Sequence, residues 1–177
     1  DGTWIRESQS MKIEQAAVLG VSSDKAVAKV TLRDVPNRPG LAAEVFQSLA
    51  KDGISVRLII QSESSEGRGR ITFVLDSEFV EDATKLIQIW KESGLTSEGI
   101  VEQNVAKISI VGSRLASTPG LAARMFSVLA REGINIDCIS SSEMKVACVI
   151  SSEYVDRAVR AVHDEFFDGH EEPSDPA

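Results

Sequence analysis

The sequence predicts an α+β protein that consists of two copies of one small unit. The segment Pro39–Ala43, with the sequence PGLAA, is repeated later in the chain as Pro119–Ala123. The same register continues as far as Glu63 in the first copy and Glu143 in the second. Too many positions agree in order for chance, so the chain contains an internal duplication. Within each copy, alternating strand-like segments and apolar residues at helical spacing predict a mixed α and β unit.

The composition narrows the possible classes of function. The chain has 177 residues, enough for one ordinary domain or two small ones. Its formal net charge of −8 argues against nucleic-acid binding, which needs clustered Lys and Arg to neutralise phosphates. No apolar stretch is long enough to span a bilayer, and residues 1–10 do not resemble a signal peptide, so we expect no membrane contact. Cys138 and Cys148 are predicted to be buried thiols in a reducing compartment, the cytoplasm.

Each copy has the same predicted order of elements, βαββα. Residues 27–33 and 106–112 alternate and are rich in β-branched side chains, which is typical of half-buried strands. After a Pro-Gly turn, apolar residues recur at helical spacing up to a glycine, Gly53 or Gly133, that is the usual left-handed helix cap. The second strands are predicted at 54–61 and 134–141, the third strands at 70–75 and 145–151, and the second helices at 78–93 and 153–167.

The two copies differ in their last strand. The first copy continues into a further predicted strand at 99–104, whereas the second runs into an acidic segment after Phe167. A βαββα unit without its last strand leaves an open position in its sheet. The apolar segment 16–21 has the right length to fill that position. The start of the chain is therefore predicted to complete the second copy.

This exchange of a strand sets the predicted domain boundaries. The first domain is continuous, and the second is assembled from two separate pieces of the chain. The predicted ranges are 25–104 for the first domain, 105–167 plus an N-terminal strand at about 14–22 for the second, and 1–12 and 168–177 for two flexible ends. The ends are polar, and the C-terminal one is acidic, a composition that disfavours packing into a core.

Residue types suited to catalysis are present, but their spacing predicts no catalytic site. His163 falls on the polar side of the last helix and His170 in the acidic tail, where a surface histidine is the better interpretation. The two cysteines have no partner nearby in the sequence. Residues 66–70 join two strands and open no helix, so a tight hairpin explains their glycines better than a phosphate-binding loop. We expect no metal and no cofactor.

The sequence offers more residues suited to binding a ligand than to catalysis. They lie at the Pro-Gly turns and in the second strands. Each turn leads into a helix N-terminus, whose first N–H groups are unpaired and carry partial positive charge. Gly40 and Gly120 have no side chain to keep a carboxylate away from those groups. On spacing alone an alternative stays open, in which the turns only start helices and the polar strand residues face water. The polar residues suited to an ammonium group are Gln61 and Ser62 in the first copy, and Asn135, Asp137, Ser140, Ser141, Ser142 and Glu143 in the second.

The Pro-Gly turns combined with particular strand sequences are more specific than any single motif. The segments concerned are 16–24 with 28–31, Asn37–Gly40, Leu58–Ser62, Val105–Gly112, Thr118–Gly120, Gly133–Ile136 and Ile139–Glu143. Together they resemble the ACT domains, a family of small-molecule sensors, and in particular the paired ACT domains of aspartokinases. The resemblance covers nearly all of the chain. It implies two ferredoxin-like βαββαβ domains whose antiparallel sheets carry helices on one face.

The resemblance also implies a regulatory function with defined effector sites. Aspartokinases phosphorylate aspartate with ATP, and their ACT pair senses threonine, lysine or both. Asn37 stands where relatives can carry Asp, so a charge is missing at that position. A threonine-type site is implied at Asn37, Gly40 and Gln61, with Asn135 and Ile136 of a partner chain, and a lysine-type site at Ser64, Ala122, Ser142 and Glu143.

The partners implied by the resemblance are a second copy of the chain and a kinase. The implied homodimer pairs first and second ACT domains of different chains and encloses the effector between them. The kinase chemistry would lie in an aspartokinase catalytic domain or alpha subunit. Gly2–Ile5 resembles the end of such a catalytic domain, which implies a regulatory fragment or a small subunit started near Met11. The alternative is a free-standing two-ACT regulator that binds a protein partner and no metabolite.

Overall fold

The computed structural model describes residues 18–63, 67–113 and 115–167. This part of the chain contains six strands and four α-helices. In chain order they are β1 (Val18–Pro36), α1 (Leu41–Lys51), β2 (Val56–Glu63), β3 (Arg68–Asp76), α2 (Val80–Glu92), β4 (Glu98–Gly112), α3 (Leu121–Arg131), β5 (Cys138–Ser142), β6 (Lys145–Ser151) and α4 (Val155–Phe167). Short 3-10 turns lie at Ser77–Phe79, Leu115–Ser117 and Ser152–Tyr154.

The chain divides into two compact units. The first unit is Lys25–Ala106, and the second combines residues 18–24 with the described residues from Lys107 onward. The divisions fall inside β1 and β4, so each of these strands supplies residues to both units. The first residues of the predicted N-terminal strand, 14–17, and both predicted flexible ends lie outside the described residues.

Four strands form the sheet of the first unit, in the order β2-β3-β1-β4. β3 is antiparallel to β1 and β2, with Thr72 opposite Thr31 on one side and Ile60 on the other. Alternate apolar residues of β1 and β3 form a core with α1 and α2, so both helices cover the same face of this sheet. Within that core Phe46 of α1 meets Phe73 of β3 edge to face, with ring centroids 5.8 Å apart.

The second unit repeats this order, with β5, β6, β4 and the first residues of β1 as successive neighbours. β5 and β6 are antiparallel, and Cys138 lies opposite Val149. An ion pair links β4 to the donated strand segment, with Lys107 Nζ 4.0 Å from Asp24 Oδ2. The prediction of two α+β units with antiparallel strands and two helices each is confirmed. The fully buried side chains of the second unit include Ile108, Ile110, Leu121, Met125, Leu129 and Phe166.

Glycine ends the first helix of each unit, as the sequence predicts. The N–H of Ile54 donates to the carbonyl of Leu49 at 2.9 Å, and the N–H of Gly53 donates to the carbonyl of Ala50 at 3.1 Å. This pair of bonds is the Schellman motif, which satisfies carbonyls at a helix C-terminus. The second unit has the same two bonds around Gly133. In both units the motif leads the chain from the helix toward the next strand.

The strands differ from the predictions in their lengths. β1 runs unbroken from Val18, inside the predicted segment 16–21, through the segment 27–33. β4 likewise joins the predicted segments 99–104 and 106–112 in one strand. No Gly or Pro lies between the paired segments to interrupt the strand. β2 and β5 begin later than predicted, because the residues after Gly53 and Gly133 are held at the helix C-terminus.

A cluster of charges joins the two helices of the second unit. The Glu165 carboxylate of α4 accepts hydrogen bonds from Arg131 Nη2 at 2.6 Å and from Arg124 Nε at 3.1 Å, both in α3. Arg124 also lies over the Phe166 ring, 4.7 Å from its centroid. Burial raises the pKa of the Glu165 carboxyl, but the hydrogen bonds from Arg131 and Arg124 outweigh burial and hold that pKa below its ordinary value.

Glu165→Gln is expected to lower the free energy of unfolding by about 1–3 kcal/mol at pH 7, because it removes charge-assisted hydrogen bonds. A lowered pKa in the folded state contributes stability above the unfolded-state pKa of about 4.3, and this stability is lost as the pH falls through the folded value. The difference between the variant and the parent should therefore shrink below about pH 4 in urea titrations. Glu81→Gln, the same change on an exposed helix position, is the control. A pH-independent difference would contradict the role assigned to ionised Glu165.

The face of each sheet opposite the helices contains buried polar side chains. In the first unit, the hydroxyls of Thr31 and Thr72 lie 3.3 Å apart. The second repeat has Ser109 and Ala147 at the equivalent positions. Ser109 is fully buried, and its Oγ has no hydrogen-bond partner within the described residues. A buried hydroxyl without a partner costs free energy because it has given up its bonds to water.

Ser109→Ala is therefore expected to leave the free energy of unfolding unchanged or to raise it by up to about 1 kcal/mol. Thr31→Val is the matched comparison, because it removes one of two bonded hydroxyls and leaves Thr72 unsatisfied. This variant should lose about 1 kcal/mol. Urea denaturation of both variants measures the difference, and a clear loss of stability in Ser109→Ala would contradict the unsatisfied hydroxyl.

Candidate binding site

The first candidate site lies at the N-terminus of α1. Gly40 immediately precedes the helix with φ of 89°, a left-handed conformation, and no side chain caps the helix there. The Gly40 carbonyl accepts the first helical bond, from the N–H of Glu44 at 3.0 Å. A Cβ placed on Gly40 would meet no atom within 4 Å, so the space above the turn is open. The backbone conformation requires glycine, and the uncapped helix terminus is accessible to an anion.

Two hydrogen bonds join this turn to the hairpin between β2 and β3. The backbone N–H of Asn37 donates to the carbonyl of Gly67 at 2.8 Å. The side chain of Asn37 donates from Nδ2 to Glu63 Oε1 at 3.2 Å. Gln61 lies two residues earlier on β2, opposite the core residue Ile71, and is therefore on the face that carries the helices. The helix N-terminus, Asn37 and the end of β2 thus come together at one end of the first unit.

The second unit has the same arrangement with different side chains. Gly120 precedes α3 with φ of 93°, again without a side-chain cap. The N–H of Leu115 donates to the carbonyl of Glu143 at 2.9 Å and joins the chain before the helix to the hairpin between β5 and β6. Ser142 closes that hairpin with a bond from Oγ to the Lys145 carbonyl at 3.3 Å. The duplication therefore preserves the junction of turn and hairpin.

The structure places the residues of the two implied sites as follows. Three of the threonine-type residues, Asn37, Gly40 and Gln61, are exposed at the end of the first unit. The other two lie in the second unit between α3 and β5, where Asn135 is exposed and Ile136 is half-buried. Among the lysine-type residues, Ala122 is in the first turn of α3, and Ser142 and Glu143 are exposed at the β5–β6 hairpin. Ser64 lies outside the described residues.

Glu63 is a candidate that the sequence analysis did not single out. Its carboxylate accepts a hydrogen bond from the Asn37 amide. A negative charge therefore lies next to Asn37, which has none of its own. The signal was present in the sequence, because Gln61 and Glu63 are two residues apart on a strand and therefore point to the same face.

The two thiols and His163 give no sign of a reactive group, and His170 lies outside the described residues. Burial raises the pKa of the Cys148 thiol to about 12, so it stays protonated and unreactive. Cys138 is half-buried, which corrects the prediction of a second core thiol. His163 is exposed and lies against Phe167, with ring centroids 4.9 Å apart. The described residues contain no cluster of metal-ligating side chains and no helix that could cross a membrane.

Comparison with known proteins agrees with the duplication. Two family models of the ACT domain match the chain, one over residues 30–94 and the other over residues 108–166. The aspartokinase of Thermus thermophilus is 39% identical over 93% of this chain and 40% of its own length. That of Corynebacterium glutamicum is 33% identical over 97% of this chain and 41% of its own length. The chain thus spans about 40% of the curated relatives that it matches.

Solved structures show the same relationship in three dimensions. The regulatory subunit of aspartate kinase from Thermus thermophilus, in its ligand-free form, is 39% identical with a TM-score of 0.79. The match covers 85% of this chain and 99% of that subunit. The aspartate kinase from Synechocystis is 37% identical with a TM-score of 0.81, over 91% of this chain and 29% of that protein.

The left-handed turns should be sensitive to substitution. Gly40→Ala and Gly120→Ala are each expected to lower the free energy of unfolding by about 1–2 kcal/mol, because a Cβ disfavours positive φ even where space is open. Gly20→Ala is the matched control. It makes the same change in a strand, with no atom within 4 Å of the new Cβ, and should be neutral or slightly stabilising. Thermal or urea denaturation of the three variants measures this, and equal effects at all three positions would contradict it.

Proposed function

This chain belongs to the regulatory subunits of aspartate kinase, which are built from ACT domains, and we propose that it binds a free amino acid and thereby controls a kinase. The regulatory role follows from the family. The identity of the effector, its site and the assembly are the proposal. The observation that carries it is the junction in the first unit, where an uncapped helix N-terminus lies beside acceptors for an ammonium group.

The chemistry of this junction suits an α-amino acid. The N–H groups in the first turn of α1 beyond that of Leu41, which donates to the Arg38 carbonyl, would hold the carboxylate. The partial positive charge of the helix terminus would assist them. The Glu63 carboxylate and the amide oxygens of Asn37 and Gln61 would accept hydrogen bonds from the ammonium group. The charge that Asn37 lacks is supplied in this scheme by Glu63, which is bonded to it at 3.2 Å. Opposite charges at the two ends of the site would select a zwitterion.

Threonine is the effector that we assign first, at Asn37, Gly40 and Gln61 with Asn135 and Ile136 of a partner chain. Lysine is the second assignment, at Ser64, Ala122, Ser142 and Glu143. In the second unit the turn and hairpin are joined as in the first, so a ligand would meet an uncapped helix N-terminus there as well. The side chains around it differ, which would make the two sites selective for different amino acids.

The assembly that we propose is a homodimer through the outer strands of the two units. β2 and β5 are the outermost strands of their respective sheets. Each carries an exposed isoleucine at an equivalent position of the repeat, Ile59 at 52% and Ile139 at 45% exposure. An unpaired strand edge with exposed apolar side chains is suited to pairing with another strand. Pairing of first and second units from different chains would bring Asn135 and Ile136 to the site at Gln61.

The effector would act on a kinase outside the sequence described here. We propose that the partner is an aspartokinase catalytic domain or alpha subunit in the cytoplasm, where ATP-dependent phosphorylation of aspartate takes place. An effector that binds one dimer arrangement more tightly shifts the population toward it, and that arrangement would hold the kinase inactive. The alternative is a free-standing ACT regulator whose ligand is another protein.

Isothermal titration calorimetry distinguishes a regulator that binds an amino acid from one that binds only a protein. L-threonine is expected to bind saturably, and Gln61→Ala should weaken the binding roughly fivefold to tenfold, the effect of about one lost hydrogen bond. Gln88→Ala, the same change on an exposed residue of α2, should bind as the parent does. An absence of heat and of any thermal shift with both threonine and lysine at millimolar concentration would sink the effector assignment and favour the alternative.

A further inference from the structure

A row of charged and polar side chains crosses the first unit near the hairpin. Arg33 of β1 lies directly opposite Arg70 of β3, and Ser62 of β2 lies opposite Arg70 on its other side. Directly opposed residues project from the same face of a sheet, and two like charges in that relation destabilise it. Arg33 is bonded to Glu98, with Nη1 2.9 Å from Oε2. Arg70 has no carboxylate partner among the described residues.

These side chains border a small polar cavity. Its volume is about 220 Å³, and it is lined by Arg33, Asp34, Ser62, Glu63, Gly69 and Arg70. The lining holds two cations, two carboxylates and one hydroxyl, and no apolar side chain. The Glu63 carboxylate is bonded to Asn37 and, like Gln61, projects from the face that carries the helices, so Asp34 is the acid available to a ligand. The cavity is too small for a nucleotide or a drug-sized ligand, which usually occupies about 300 Å³ or more.

Asp34 is held in the cavity wall by an unusual backbone. The register of β1 and β3 shifts between Arg33 and Val35, which leaves Asp34 in a β-bulge. Its φ is 52°, and it is the only residue other than glycine with positive φ in the described chain. Ser97 Oγ donates to Asp34 Oδ2 at 2.6 Å, and Thr96 Oγ1 donates to the Arg33 carbonyl at 2.6 Å. Bulges redirect side chains, and strained residues persist where the surroundings hold them in place.

We propose that this cavity, the two-arginine pocket, binds a small zwitterionic amino acid within the first unit. Arg70 and Arg33 hold the carboxylate between them, which relieves their mutual repulsion. Ser97 bonds to Asp34 Oδ2, so the other carboxylate oxygen, Oδ1, accepts a hydrogen bond from the ammonium group. Ser62 adds a hydroxyl. A phosphate dianion fits less well, because the Asp34 carboxylate would repel its second charge.

The two-arginine pocket and the effector site proposed above lie on opposite faces of the sheet and share one bordering residue, Glu63. Gln61 is on the face that carries the helices, whereas Ser62, the next residue on β2, points to the opposite face. Arg70 lies opposite Ser62 on one side and opposite Arg33 on the other, so all three side chains project from the same face. All the residues of the pocket come from one unit of one chain, so it requires no dimer.

The test is a titration of the ¹⁵N-labelled full chain, observed through the arginine Nε–H signals by NMR. Glycine should shift the signals of Arg33 and Arg70 saturably, whereas acetate and inorganic phosphate should bind roughly tenfold more weakly. Arg70→Gln should abolish the response to glycine, and Arg160→Gln, the same change in the second unit, should preserve it. Asp34→Asn should weaken glycine binding and leave acetate binding unchanged.

Other results would overturn the pocket without affecting the effector site. No saturable shift of Arg33 and Arg70, or an unchanged shift in Arg70→Gln, would refute it. Tighter binding of phosphate than of glycine would refute the zwitterion assignment. Gln61→Ala distinguishes the two sites, because it should leave the shifts of Arg33 and Arg70 unchanged while it weakens threonine binding.

Discussion

The two units depend on strands that the chain divides between them. β1 is the last strand of the second unit at residues 18–24 and the first strand of the first unit from Lys25. β4 has the reverse role, since it ends the first sheet at Ala106 and begins the second at Lys107. The stretch 107–167 therefore holds only three of the four strands of its sheet. Its fourth strand comes from before the first unit, so loss of that segment would expose a sheet edge.

A buried lysine marks the junction of first and fourth strands in each unit. Lys29 reaches Glu102 at 3.0 Å, and the equivalent Lys107 reaches Asp24 at 4.0 Å. Both lysines are 8% exposed, so an ammonium group without its carboxylate would be costly. A slip of one residue would turn the acid to the other face of the sheet. The ion pairs therefore favour the observed register. In the second unit, Asp24 supplies the carboxylate from the strand at the start of the chain.

The elements that could be predicted from sequence are those that local patterns determine. The helices after Gly40 and Gly120, their ends at Gly53 and Gly133, and the strand β6 follow from spacing and from glycine chemistry. The contacts that define the sites could not be predicted in this way. The approach of Arg33 to Arg70 depends on strand register and on the bulge at Asp34, and a sequence shows neither. The bond between Asn37 and Glu63 likewise requires the hairpin to fold back on the turn.

The position of the proposed effector site explains how binding could be transmitted. Asn37 and Leu115 tie the turn before a helix to a hairpin at the end of an outer strand. A ligand at either turn would contact both the helix N-terminus and the strand edge that pairs in the proposed dimer. Its binding energy could then differ between two arrangements of that edge, and such a difference is what allosteric control requires. A site buried within one core would lack this connection, because its surroundings would be the same in either arrangement.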